Sequence, residues 1–487
     1  MCVIRSLPTV ALLSYLFTSA VLANDYFSNI LGKIKPPHSH TALYAKNLIT
    51  GEVIYEENAD TLLLPASTQK LLTAVATTAY LGPDFRFHTR LYSHFPIRGG
   101  KIPGDVYLKF SGDPTLTSQH ISLLLKQLSD QGLSRIEGNF YLVGNGNEQQ
   151  QAPGWVWDDL GICFAAPVSS FVINQNCVHG KLKTKLASET SQLQFSPYLP
   201  IKIHNTAVFD KSKTVTFCDL DLKRLANNEF TLSGCYPGNK GIKLAIAITD
   251  PALFAKDTVE RLIKNSQIKI SGGIFVTHSL AQHTSLIGLH SSKALPELLD
   301  IMLLKSDNLI ADSLLKQLGQ AYFKQAGSFT NGSRAMREVL TQAGVDLAHA
   351  QIVDGSGLSR YNLISAKQLS QVLNLIYTDQ RFKGLIDSLP ISGVRGTLEY
   401  KSYFNKKPLV NYIYAKTGSM QGVDNLAGFI KKPYFDDTLF VILENGQSPL
   451  EKKQQIAPFS ALFLQTILDY KPAPLASSKV ADKTKIQ

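Results

Sequence analysis

From residue 41 onward, apolar and polar residues alternate in "TALYAKNLITGEVIYEEN", the period of half-buried strands. Thr50-Gly51 separates the two runs and predicts a hairpin. The run "LLTAVATTAYLG" that follows is apolar at helical length and stops at Gly82-Pro83. From about residue 90 to 280 the texture changes. "DVYLKF", "RIEGNFYLVGN", "IKLAIAI" and "QIKISGGIFV" read as strands, "SQHISLLLKQLSDQG" and "DPALFAKDTVERLIKN" as helices, with turn-rich segments between them. After 280 the helical period dominates, in "SKALPELLDIMLLKSDNLIADSLLKQLGQAYF", "TNGSRAMREVLTQAG" and "SAKQLSQVLNLIYTD". Three strand-like runs come next, "LVNYIYAKTG", "VDNLAGFIKK" and "DTLFVILEN", and a last helix is predicted over "PLEKKQQIAPFSALFLQTILDY".

A hairpin at the start and strands at the end can share one antiparallel sheet. The pattern therefore predicts an α+β domain, an antiparallel sheet flanked by helices, interrupted by one or two smaller mixed α/β domains. The expected division is 1–23 signal peptide, 24–90 first part of the main domain, 91–280 insertion, 281–470 second part, and 471–487 a polar, Pro/Ser/Lys-rich disordered tail.

The N-terminus adds a compartment. Arg5 precedes an apolar stretch from Val10 to Leu22, and Val21 and Ala23 have the spacing of a signal-peptidase site. This predicts export with cleavage after Ala23. Cleavage removes Cys2 and leaves Cys163, Cys177, Cys218 and Cys235, an even number that an oxidising compartment can pair. Three pairings are open, and the nearest-neighbour scheme, Cys163 with Cys177 and Cys218 with Cys235, is the expectation. No Cys-x-x-Cys and no metal spacing among the eleven histidines is present, so neither a metal nor another cofactor is expected. The chain has 487 residues and a net charge of +11, without a dense basic run or an aromatic-basic motif. Nucleic acid is therefore not expected as a partner, and weak association with a membrane surface or wall is the most the charge suggests.

Candidate chemistry starts at "LPASTQK", where Ser67 and Lys70 stand three apart at the head of the long apolar helix. Residues at i and i+3 share a helix face, so Lys70 can reach the Ser67 hydroxyl. A serine needs such a base to become nucleophilic, and a lysine serves only when its pKa is pulled down by burial or nearby cations. The bland alternative makes Ser67 an N-cap, and the same spacing at Ser266/Lys269 and Ser313/Lys316 reads as surface helix. Two further motifs single out the first. Ser306-Asp307-Asn308 lies between two helical runs, and Lys416-Thr417-Gly418 lies at the end of a strand.

In the order S-x-x-K, S-D-N, K-T-G, these motifs resemble the penicillin-recognising serine DD-peptidases. The stretches "SGDPTL", "APGWVWDDLGICFAAP", "DGSGLSRYN" and "SGVRGTL", and the large gap between Lys70 and Ser306, are similar to the low-molecular-mass class C branch, the D-alanyl-D-alanine carboxypeptidase/endopeptidases. The resemblance implies a β-lactamase/DD-peptidase-like main domain and a periplasmic enzyme acting on peptidoglycan stem peptides and cross-links, inhibited by β-lactams. It implies Ser67 as nucleophile, Lys70 as base and Ser306 as proton relay. Asn308, Lys416, Thr417, Gly418 and Ser419 would hold the substrate, with the backbone N–H groups of Ser67 and Ser419 as oxyanion donors. Asp307 is given no chemical step. The Gly-rich "DGSGLSRYN" and "SGVRGTL" are expected at the cleft rim, and Trp155 and Trp157 are expected to pack the insertion. Two rivals stand beside this reading. One is a β-lactamase, which needs a deacylating glutamate that "RAMREVLTQAG" does not supply in a Glu-x-x-x-Asn form. The other is a non-catalytic wall-binding protein.

Overall fold

A computed structural model describes residues 25–471, apart from residues 147, 186–189, 197, 211–214 and 237–240. The expected signal peptide and all but the first residue of the expected tail lie outside the described residues.

The alternating run folds as predicted. Strands β1 (His40–Asn47) and β2 (Val53–Glu57) form an antiparallel hairpin. Its turn is closed by the Asn47 side chain, which accepts from the N–H groups of Ile49 and Thr50, and Gly51 takes the positive φ of +79° that the turn requires. The C-terminal runs become β3 (Ile413–Met420), β4 (Val423–Lys432) and β5 (Phe435–Asn445). All five strands form one antiparallel sheet in the order β3-β4-β5-β1-β2. β1 thus pairs with β5 from the far end of the chain, and β3 is left at the edge.

Helix α1 (Lys70–Leu81) is the centre of the main core. Its Leu71, Leu72, Ala74, Val75 and Ala76 are fully buried. They lie among the helices α2 (Leu295–Lys305), α3 (Asn308–Phe323), α4 (Phe329–Gln342) and α5 (Ala366–Thr378) on one face of the sheet. Each larger side chain among these contributes about 1.5–3 kcal/mol of burial. The other face is covered by α6 (Phe459–Asp469) and by Phe27 and Leu31 of the N-terminal segment. The single helix expected at the C-terminus is in fact two, Pro449–Gln454 and Phe459–Asp469. Pro458 takes the cap position of the second, where a residue without an N–H and with fixed φ starts a helix but cannot continue one.

The intervening region builds its own sheets and cores. A mixed sheet runs Ile274–Thr277, Phe140–Val143, Val106–Lys109, His88–Ser93, Ser285–Ser291. Helices Ser118–Asp130 and Pro251–Lys264 pack against it. Its closing pair, His88–Ser93 with Ser285–Ser291, straddles the limits expected at 90/91 and 280/281. A second set of strands between Cys177 and Ala247 surrounds a smaller core of Leu182, Ala207, Leu232 and Tyr236. Both disulfides belong to this region, and the pairing is nearest-neighbour, Cys163–Cys177 and Cys218–Cys235. Among the described residues no helix is long and apolar enough to cross a membrane.

Candidate active site

Ser67 does not cap a helix. It lies inside a 3-10 turn, Ala66–Gln69, that runs straight into α1; Pro65 and Gln69 hold the two cap positions, and neither makes a side-chain cap bond. This removes the N-cap alternative and strengthens the pairing with Lys70, because side chains at i and i+3 eclipse in a 3-10 turn. The turn is sharp. Ala66 has φ +46°, a left-handed backbone that costs a non-glycine residue roughly 1–2 kcal/mol. The surroundings hold it there. Asn425 Nδ2 donates to the Pro65 carbonyl at 2.9 Å, and Thr68 Oγ1 donates to it at 2.7 Å. A Cβ at Gly357 would stand 1.8 Å from the Ala66 carbonyl oxygen, and one at Gly418 would stand 2.8 Å from that of Pro65. Gly418, expected to meet substrate, is thus pressed against the turn that carries Ser67.

The three motifs converge. Lys70 Nζ donates to Ser67 Oγ at 2.9 Å, to Asn308 Oδ1 at 2.6 Å and to the Ser356 carbonyl at 2.7 Å. Lys416 Nζ donates to Ser306 Oγ at 2.9 Å and to the Thr417 carbonyl at 2.8 Å. Ser306 ends α2 in a left-handed conformation (φ +58°), while Asp307 caps α3 by accepting from Ile310 N–H at 2.9 Å. The step without assigned chemistry, Asp307, is therefore the residue that starts the helix whose first position is Asn308. Lys416-Thr417-Gly418 occupies the middle of β3, not its end. Ser67, Ser306, Thr417 and Ser419 line one cleft of ≈ 450 Å³.

Both lysines are fully buried, and that burial is the leading cause of their weakened basicity. Lys70 is pulled down to about 8, with Asp312, Asp354 and Asp307 opposing the shift. Lys416 is held well below its ordinary value by burial and then by the charge of Lys70. For Lys70, of the two means of lowering a lysine, loss of water does the work.

Several parts of the site carry no local sequence spacing. Asp354 accepts four donors, Gly357 N and Asn362 Nδ2 on one oxygen and Ser359 N and Trp155 Nε1 on the other. This fixes the loop whose Ser356 carbonyl meets Lys70, and it gives Trp155 a packing role while Trp157 is exposed. Asp312, also buried, accepts from the Gly355 and Ser356 N–H groups at 2.7 and 3.0 Å. Thr397, from "SGVRGTL", shares a hydrogen bond of 2.8 Å with Thr417 Oγ1. The decoy at Ser313/Lys316 is not surface helix. Lys316 is buried and donates to the carbonyls of Gln149 and Val168, both at 2.6 Å, tying α3 to the inserted region.

That region also reaches the motifs directly. The Phe164 carbonyl accepts from Asn308 Nδ2 at 2.9 Å, and Gln175 Nε2 donates to Asp307 at 3.0 Å. Both contacts lie within the loop closed by Cys163–Cys177. Replacing both of these cysteines by serine is expected to lower stability by about 3 kcal/mol, the loop-closure value for a separation of 14 residues. It is also expected to slow acylation by a fluorescent penicillin. The Cys218–Cys235 bridge closes a similar loop of separation 17 among the distal strands, and the double variant that removes it should change melting but not acylation rate. Equal acylation rates in the two double variants would contradict this.

A family model, the D-Ala-D-Ala carboxypeptidase 3 (S13) family, matches residues 28–465. The chain belongs to that family. It is 34% identical over 452 residues to the D-alanyl-D-alanine carboxypeptidase DacB of Haemophilus influenzae, covering 92% of this chain and 94% of that one. It is 27% identical to a D-alanyl-D-alanine carboxypeptidase of Actinomadura, covering 84% and 78%. The crystal structure of penicillin binding protein 4 (dacB) from Haemophilus influenzae superposes with a TM-score of 0.84 at 33% identity, covering 91% of this chain and 98% of that one. A second structure of that protein, complexed with a β-lactam, superposes at 0.80 and 30% identity. Membership of the S13 family makes the chain a serine-type hydrolase of D-alanyl-D-alanine peptides with a DD-peptidase fold.

Proposed function

We propose that Ser67 is the acylated nucleophile of this DD-peptidase and that Lys70, Ser306, Asn308, Lys416, Thr417 and Ser419 complete its machinery. One observation carries the reading: a buried lysine amine lies 2.9 Å from the Ser67 hydroxyl at the wall of a cleft. Neutral Lys70 takes the Ser67 proton as Oγ attacks the carbonyl carbon of the penultimate D-alanine. The C–N bond then breaks, and Ser306, held by Lys416, passes a proton to the departing amine. Water hydrolyses the ester and returns Ser67. Asn308 holds Lys70, and the hydroxyls of Thr417 and Ser419 receive the carboxylate of the leaving residue. Ser67 and Ser419 N–H groups serve as oxyanion donors, each typically worth about 10²–10³ in rate.

This reading places the enzyme in the periplasm, acting on peptidoglycan, with β-lactams trapping the acyl-enzyme. It also assigns the inserted unit to the residues between the closing strands, 88–291. A β-lactamase reading is disfavoured because no glutamate is among the described residues lining the cleft. A wall-binding role without catalysis is disfavoured by the close packing of three catalytic motifs. The expected result is release of D-alanine from a pentapeptide stem and conversion of a cross-linked muropeptide dimer to monomers, read by chromatography. Inertness toward both substrates would refute the proposal.

A further inference from the structure

Past the Thr397–Thr417 pair, the same cleft is walled by Lys401, Lys452 and Asp424. These come from three separate segments: the loop before β3, strand β4, and the short helix Pro449–Gln454. Lys401 Nζ reaches one Asp424 oxygen at 3.1 Å, and Lys452 Nζ reaches the other at 2.9 Å. Burial alone would raise the Asp424 carboxyl, but the two ammonium groups override it and hold the group below its ordinary range. Asp424 is therefore ionised, and it neutralises one lysine while the pair carries two charges. Asp424 is also the one acid among the described residues lining the cleft. A single positive charge is left over on a wall that also holds the Ser67 and Ser306 hydroxyls. Lys452 is half exposed at 51%, so its amine remains open to a ligand, whereas the Lys401 side chain is only 19% exposed.

A structural tie between β4 and the short helix would need one lysine on Asp424. The second calls for an anion. Its position fixes which one. Ser306, Thr417 and Ser419 mark the leaving side of the cleft in the reading above, and the Thr417 and Ser419 hydroxyls account for the carboxylate next to the departing amine. Lys401 and Lys452 line the same cleft, and a leaving group longer than one residue would bring further carboxylates to it. We propose that Lys452, held across Asp424 from Lys401, binds a second carboxylate on the leaving peptide, and so favours cross-linked strands over single stems. This rests on the assignment of Ser67 and Ser306 made above. A free D-alanine leaving group has one carboxylate and gains nothing from the pair, while a leaving peptide strand carries others.

The test uses the full chain, Lys452→Met, and the double variant Lys401→Met/Asp424→Asn, which keeps the buried site free of an unpaired charge. The substrates are a cross-linked muropeptide dimer, the same dimer with every leaving-strand carboxylate amidated except the one next to the scissile bond, and a monomeric pentapeptide. Acylation by a fluorescent penicillin is followed in parallel. Lys452→Met is expected to lower kcat/KM for the free-acid dimer about 10-fold, the scale of one charge-assisted contact. It should leave pentapeptide hydrolysis and penicillin acylation within about twofold, because neither carries the second carboxylate. The wild type should cleave the amidated dimer about 10-fold more slowly than the free acid, and the double variant should keep its preference because Lys452 remains. Equal cleavage of the two dimers, equal losses on dimer and pentapeptide in Lys452→Met, or no dimer cleavage at all would overturn the proposal. Absence of acylation or of D-alanine release in the wild type would instead contradict the assignment of Ser67.

Discussion

Ser67→Ala is expected to abolish D-alanine release and penicillin acylation, with turnover falling about 10⁴–10⁶-fold, the range for losing a nucleophile that acts as one unit with its base. The fold should survive. Ser67 is half-buried, and its hydroxyl accepts from Lys70 without supporting the core. Lys70 keeps two other acceptors, Asn308 Oδ1 and the Ser356 carbonyl, so its amine is not stranded. The melting temperature should move by only a few degrees, since a surface-facing substitution typically stays within about 0.5 kcal/mol. A folded Ser67→Ala protein that retained activity would place the nucleophile elsewhere.

Lys70→Met is expected to slow acylation about 10³–10⁴-fold, by removing the group that deprotonates Ser67. Methionine fills the buried channel without a charge, which separates loss of the base from loss of packing. The pH dependence provides the sharper sign. Burial holds Lys70 at about 8, and only its neutral form can take the serine proton. Below pH 8 the protonated fraction grows, so the wild-type acylation rate should rise about tenfold per pH unit up to about 8 and then level off. In Lys70→Met that limb should vanish. Stopped-flow acylation at saturating and subsaturating penicillin measures both.

What the sequence disclosed was mostly what chemistry or period writes locally. Helix α1 follows from a continuous apolar run ended by Gly82-Pro83, and the hairpin from alternation around Thr50-Gly51. Ser67, Ser306 and Lys416 were legible because each sits in a short motif of fixed composition. Tertiary partnership was not. The cap alternative for Ser67 rested on a serine before a helix usually being one; the 3-10 turn that replaces it is packed against Gly357 and Gly418 from distant segments. Lys316 looked like a surface residue on the spacing of its neighbours, yet two carbonyls of the inserted region bury it. Asp424 meets its lysines across 23 and 28 residues, a separation no helical or strand period encodes. The break before α6 was the exception, since Pro458 was visible and its effect on a helix is local.

The central claim is that Ser67 forms a long-lived acyl ester. Its most direct test is peptide mapping by mass spectrometry after brief incubation with benzylpenicillin. The account predicts one adduct of the intact penicilloyl mass on the peptide containing Ser67, absent from Ser67→Ala. An adduct at Ser306 or Ser313, or rapid conversion of penicillin to its hydrolysis product with no adduct retained, would contradict it.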